Sequence, residues 1–234
     1  RLVAHYYNIN SKWHSGRNDA AMCIKKWPEG SHHGVYRDGT CVQDIERGRA
    51  GEMRELPWQT DTCIGGWYYR VGTKYKTPAH VAHMLIDIVS KNGNLLLNLP
   101  LHPDGSLDDD EITFLDAMGK WMKVNGEGIY GTRPWVIYGE GPAKGGGGHF
   151  NEAATHYTSR DFRYTAKGDS QVYAFFMKWP EDGRLHLRAL SKTAESGGTV
   201  EQVELLGHEG VLEFQHSDQG LMVSLPATPP CQHA

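Results

Sequence analysis

Residues 77–125 constrain the fold more than any other stretch of the chain. Thr77-Pro78 opens a helix signal, a capping hydroxyl followed by a proline whose missing N–H costs nothing in a first turn. Val81, Met84, Leu85, Ile88 and Val89 then recur at the spacing of one helical face, which predicts a helix with a single buried stripe. Lys91-Asn92-Gly93-Asn94 supplies a left-handed turn, and Leu95-Leu96-Leu97-Asn98-Leu99-Pro100 is the nearly continuous apolar run of a strand buried on both faces. Pro103-Asp104-Gly105 predicts a turn. Residues 108–125 read as a second helix, acidic at its start and apolar at Ile112, Leu115, Met118 and Met122. Helix, buried strand and helix is the rhythm of a parallel α/β sheet.

Upstream the same rhythm is fainter. Residues 20–26 and 41–46 are short strand candidates separated by Gly and Pro, while residues 1–10 fit either a strand or the end of a helix. Beyond Trp135 the character changes: residues 139–148 are glycine-rich, with Gly145-Gly146-Gly147-Gly148 at their end, and read as a loop or linker. Alternating runs follow at 162–165, 172–176, 185–190, 200–206, 211–214 and 221–225, divided by turns such as Glu181-Asp182-Gly183. That is the pattern of an antiparallel β-sandwich. Such a sandwich takes about 90 residues and leaves roughly 140, whereas a closed (β/α)8 barrel typically needs about 250. The expectation is therefore the C-terminal half of a (β/α)8-like barrel over residues 1–138, a glycine-rich connection over 139–160 and a sandwich over 161–234. The opening Arg1-Leu2-Val3-Ala4-His5, without an initiator Met or a leader pattern, reads as a cut end.

Composition narrows the function classes. Hydrophobic residues make up 39% of the chain and aromatics 10%, enough for a packed core. Lys and Arg total 24 against 28 acidic residues, a net charge of −4 that offers no basic footprint for nucleic acid. No apolar run approaches a membrane span; the stretch around Met84 to Val89 is broken by Asp87. Cys23, Cys41, Cys63 and Cys231 are widely spaced with no C-x-x-C pair, and His32-His33 lies in a glycine-rich loop without a ligand-spaced partner, so no metal is expected.

Three places combine residue types that suit chemistry. In Cys41-Val42-Gln43-Asp44-Ile45-Glu46-Arg47-Gly48, Asp44 and Glu46 alternate by two at the end of a predicted strand, where α/β folds gather ligands. Glu46 reads either as an acid/base group or as a structural carboxylate paired with Arg47. Around Trp58-Gln59-Thr60-Asp61-Thr62 and Trp67-Tyr68-Tyr69-Arg70, rings and polar groups interleave on a predicted loop, as sugars require for stacking and hydrogen bonding; packing of the rings in a core is the plainer reading. Lys26 ends the upstream strand and is either a substrate contact or a solvated cation.

These residues carry a resemblance. The run from Pro57 to Tyr69, the run from Met84 to Asn98, Pro103-Asp104-Gly105-Ser106, Gly119-Lys120-Trp121 and the run from Val124 to Trp135 are similar to the C-terminal half of the retaining α-L-fucosidase family of glycoside hydrolases. The later Val203-Glu204-Leu205-Leu206-Gly207 resembles the sandwich domain that follows the barrel there. The resemblance implies a (β/α)8-like catalytic barrel and hydrolysis of terminal α-L-fucosyl groups on glycans with retention, by two carboxylates and without a cofactor. It implies Glu46 as the acid/base and an Asp nucleophile on a strand preceding residue 1. It also implies Trp67 against the apolar face and methyl group of fucose, with Trp58 and Lys26 as further substrate contacts. Lys26 stands where many members carry Arg, and Gln59 where many carry Glu. Family habit points to a secreted, periplasmic or lysosomal protein. A noncatalytic carbohydrate-binding or assembly fragment is the alternative that the missing nucleophile leaves open.

Overall fold

The computed structural model describes residues 1–25, 37–143, 145–194 and 198–231. Helix α1 (Leu2–Trp13) resolves the opening segment as helical and buries none of its residues, leaving Leu2 and Trp13 largely exposed. Strands β1 (Cys23–Lys25), β2 (Val42–Asp44), β3 (Trp58–Cys63) and β4 (Gly93–Asn98) form one parallel sheet in that order. Residues 58–62, expected in a loop, are thus a strand: Trp58, Thr60 and Thr62 alternate into the core while Gln59 and Asp61 face the other way.

Helix α2 (Pro78–Ser90) crosses from β3 to β4, as parallel pairing requires. The Thr77 hydroxyl accepts a hydrogen bond from the His80 N–H, and Val81, Met84 and Ile88 are buried against the sheet. Helix α3 (Asp109–Asn125) opens on a reciprocal cap, with Asp108 accepting from the Glu111 N–H and Glu111 accepting from the Asp108 N–H. The two helices cover one face of the sheet only. Strand β4 therefore alternates rather than being buried on both faces as its composition suggested: Leu95 and Leu97 pack inward, and Leu96 is 55% exposed.

The C-terminal part contains two antiparallel sheets. Strands β5 (Arg133–Glu140), β6 (Phe162–Lys167) and β7 (Gln171–Phe176) pair in that order; β8 (Arg184–Leu187), β9 (Phe214–Ser217) and β10 (Gly220–Ser224) pair as β8-β10-β9. Trp135, Phe162 and Tyr164 from one sheet share a core with Leu185, Leu187, Leu221 and Val223 from the other. Residues 200–206 do not form the expected strand and contribute only an isolated bridge between Glu204 and Val211.

A buried ionic network joins α2 to β6. Asp87 accepts from Lys91 Nζ at 2.8 Å and from Arg163 Nε at 2.6 Å, with all three side chains nearly inaccessible. Burial pushes the Asp87 carboxyl up, but the two cations outweigh it and hold the group below its ordinary range. The Tyr138 ring lies against both cations.

Candidate active site

The parallel register brings Lys25, Asp44 and Gln59 side by side on the sheet face that the helices leave open. Lys25 Nζ lies 2.7 Å from Asp61, 3.2 Å from Glu46 and 3.6 Å from Asp44. Burial pulls the Lys25 ammonium down, and the hydrogen bonds to Asp61 and Glu46 more than restore it, so its pKa stands above the ordinary value. Asp44 is the most enclosed of the three carboxyls. Its burial, then the charge of Asp61, push it up against the pull of Lys25. Gln59 Nε2 reaches Asp44 at 3.5 Å, and Asp61 Oδ1 is buried without a hydrogen bond from the described residues. Three carboxyls around one ammonium leave an excess of negative charge, and at Asp44 burial and the Asp61 charge favour the protonated form. That is the equipment of acid/base chemistry.

Glu46 sits just past the end of β2, and its backbone is held from far away in sequence. The Glu46 N–H donates to His149 Nδ1 at 3.0 Å, and the Glu46 carbonyl accepts from the Phe150 N–H at 2.8 Å. With Nδ1 as the acceptor, the neutral His149 ring carries its proton on Nε2. The next residue, Arg47, takes a positive φ of 45° and donates its N–H to the Asp61 carbonyl at 2.8 Å. The glycine-rich stretch, read from sequence as a loop or linker, runs across these strand ends. Gly148 and Arg49 exchange backbone hydrogen bonds, and a Cβ on Gly48 would lie 1.9 Å from the Gly148 carbonyl oxygen, so the two backbones meet only because glycine is there.

Glu152 fixes the other end of this strap. It receives Arg47 at 2.5–2.7 Å, Lys76 at 3.2 Å and the Thr62 hydroxyl, while its backbone carbonyl meets His80 Nε2 at 3.0 Å. Burial pushes the Glu152 carboxyl up, but the Thr62 and Arg47 hydrogen bonds and the Lys76 charge hold it below the usual range.

Of the residues singled out from sequence, Glu46 belongs to the cluster. Trp67 is half-buried, and its carbonyl accepts from Asn98 Nδ2 at 3.4 Å, at the same end of the sheet. Trp58 requires a correction. It is 1% exposed, donates Nε1–H to the Lys91 carbonyl at 2.9 Å, and packs so closely on Gly93 that a Cβ there would fall 2.5 Å from the ring, so it is a core residue and offers a substrate no surface. Lys26 lies outside the described residues. Lys25, Asp61, His149 and Glu152 escaped the sequence reading. The period of two that marked Asp44 and Glu46 also places Asp61 two residues beyond Gln59, the neighbour of Asp44; nothing local marks His149 or Glu152. A cavity of about 720 Å³ between α1 and the start of β2, lined by Tyr7, Cys41, Val42 and Leu56 among others, contains none of these carboxyls. Among the described residues no cluster of His, Cys, Asp and Glu has the makings of a metal site, and no helix is long and apolar enough to cross a membrane.

The chain is similar to known proteins along nearly its whole length. Residues 4–127 match the model of the alpha-L-fucosidase family, and residues 155–234 match that of the alpha-L-fucosidase C-terminal domain. The tissue alpha-L-fucosidase of Homo sapiens is 30% identical over 220 residues, and the human plasma alpha-L-fucosidase 34% over 211 residues. These alignments take in 91% and 86% of this chain but only 41% and 40% of the relatives, so the chain spans about two fifths of their length. Among solved structures, alpha-L-fucosidase isoenzyme 1 from Paenibacillus thiaminolyticus superposes with a TM-score of 0.63 at 26% identity, over 82% of this chain and 43% of that one. The Thermotoga maritima alpha-fucosidase in complex with fucose shares the fold at a TM-score of 0.65 and 22% identity, over 97% of this chain and 44% of that one. With one family model covering the parallel sheet with α2 and α3, and a second covering every antiparallel strand except β5, the chain belongs to the alpha-L-fucosidase family.

Proposed function

We propose that this chain forms the C-terminal part of a glycoside hydrolase that removes terminal α-L-fucosyl groups from glycans with retention, and that Glu46 is its acid/base. The observation that carries the assignment is the placement of Glu46: at the end of a parallel strand, on the sheet face carrying Lys25 and Asp61, with both backbone polar groups tied down by His149 and Phe150. A general acid must be held within hydrogen-bond reach of the oxygen it protonates, and a fixed backbone supplies that.

In the retaining mechanism one carboxylate attacks the anomeric carbon while the other protonates the departing oxygen, the two being about 5–5.5 Å apart. Glu46 takes the second role and then, as a carboxylate, removes a proton from the water that releases fucose. The nucleophile is assigned to a strand preceding β1 in the longer protein. The four parallel strands are read as the second half of a (β/α)8-like barrel, with Asp61 and Leu96 facing its interior, and the two antiparallel sheets as the sandwich beside it. Trp67 is the proposed apolar contact for the fucose ring.

The test is release of the chromophore from an aryl α-L-fucoside by a full-length form and by this 234-residue chain. Activity confined to the full-length form supports the reading. Glu46→Gln there should lower hydrolysis of substrates with poor leaving groups by about 10²–10⁴-fold and spare activated aryl fucosides much more. Equal losses on both substrates would remove Glu46 from the acid role. Fucose binding without turnover in the full-length form would favour a noncatalytic carbohydrate-binding protein instead.

A further inference from the structure

Among the described residues, Ser15, Arg47, Asn92 and Phe150 are the non-glycine residues with a positive φ. Two of them meet at Glu46: Arg47 follows it in sequence, and Phe150, at φ 55°, donates its N–H to the Glu46 carbonyl. A bulky residue in the left-handed region is an uncommon conformation that the surroundings must impose, and such residues concentrate where geometry serves a site. Here the imposing contacts are visible. The Gly148–Arg49 backbone pair holds one side of Phe150, and the Glu152 cluster with Arg47, Lys76 and Thr62 holds the other. The result is a ring that stays 60% exposed although its backbone is pinned against the candidate acid.

Resting on the reading of Glu46 as the acid, we propose that Phe150 is a specificity-determining residue for the leaving group. It presents a flat apolar wall to the sugar or aryl ring attached to the oxygen that Glu46 protonates. That oxygen lies within hydrogen-bond reach of the Glu46 carboxyl, so the group bonded to it occupies the space immediately beside the acid. The C–H face of a pyranose or the face of an aryl ring suits a phenyl side chain, and a small polar leaving group has nothing to gain from it.

The experiment compares Phe150→Leu and Phe150→Tyr with the parent, in a full-length form, on α-L-fucosyl fluoride and on a fucosyl disaccharide. Phe150→Leu should lower kcat/KM on the disaccharide by about three- to tenfold and change fluoride hydrolysis less than twofold, with Phe150→Tyr restoring the disaccharide rate. Equal losses on both substrates would mean that the ring only shapes Glu46, and unchanged rates would mean that it touches nothing; either overturns the proposal alone. A parent that hydrolyses neither substrate overturns the hydrolase reading, and this proposal with it.

Discussion

Among the described residues, Lys25 is the cation that lies within 4 Å of Asp44, Glu46 and Asp61 together. Asp44 carries the clearest consequence. Because its folded pKa is raised, its favourable contribution is present below the unfolded value near 3.9 and is lost as pH rises through the folded one; ionised Asp44 is a net cost at neutral pH. Asp44→Asn should therefore melt at or above the parent temperature at pH 7. The advantage should fade as pH falls through the raised value, where the parent carboxyl is itself neutral. Melting curves across pH 3 to 8 check this, and a variant less stable than the parent at pH 7 would show the Lys25 contact to outweigh burial. At this scale the sequence was half legible. Asp44 and Glu46 announce themselves by alternation, but the meeting of Lys25 with them depends on the β1–β2 register, and a three-residue strand is too short to reveal it. Trp58 misleads because an indole beside polar residues has the same composition in a sugar site and in a core; only Gly93 across the strand pair shows where the ring goes.

The helices α2 and α3 were readable because they run for 13 and 17 residues and begin with a capping signal, but the stripe expected for α3 is only partly right: Ile112 and Leu115 are exposed, and Phe114 and Trp121 are the buried apolar residues. The strap across the strand ends was not readable. Four consecutive glycines announce freedom of the backbone, and the contacts that remove it come from Glu46, Arg47, Arg49, Thr62 and Lys76 at remote positions. Glu152 is where the strap is held most firmly. Its folded pKa is depressed, so its contribution is present above the unfolded value near 4.3 and is lost as pH falls through the folded one. Glu152→Gln should cost about 2–4 kcal/mol at pH 7, since it leaves Arg47 and Lys76 without their carboxylate, and the gap to the parent should narrow on acidification below pH 4. Denaturant titrations at pH 7 and pH 3.5 measure both halves; a gap that stays constant with pH would assign the loss to shape rather than charge.

Across the whole molecule, the buried Asp87, Lys91 and Arg163 network couples the helix behind the parallel sheet to the first antiparallel sheet. Removing one member of such a set strands the others without water, at a cost of about 3–5 kcal/mol. Arg163→Met should accordingly destabilise by that order and split a single calorimetric transition into two, because Asp87 loses the partner that spans the two parts. A single transition at lower temperature would mean that the shared apolar contacts keep them cooperative without the ions. This coupling was invisible in sequence. Asp87 looked there like an interruption of an apolar helix face, and its partner lies 76 positions away. The same remoteness governs Glu46, whose backbone is completed by His149, 103 residues later. On a ribosome adding about 5–20 residues per second, Glu46 emerges roughly 5–20 s before the residues that lock it. Through that interval the nascent chain holds Glu46 unfastened, and the strap that ties it arrives only with His149 and Phe150.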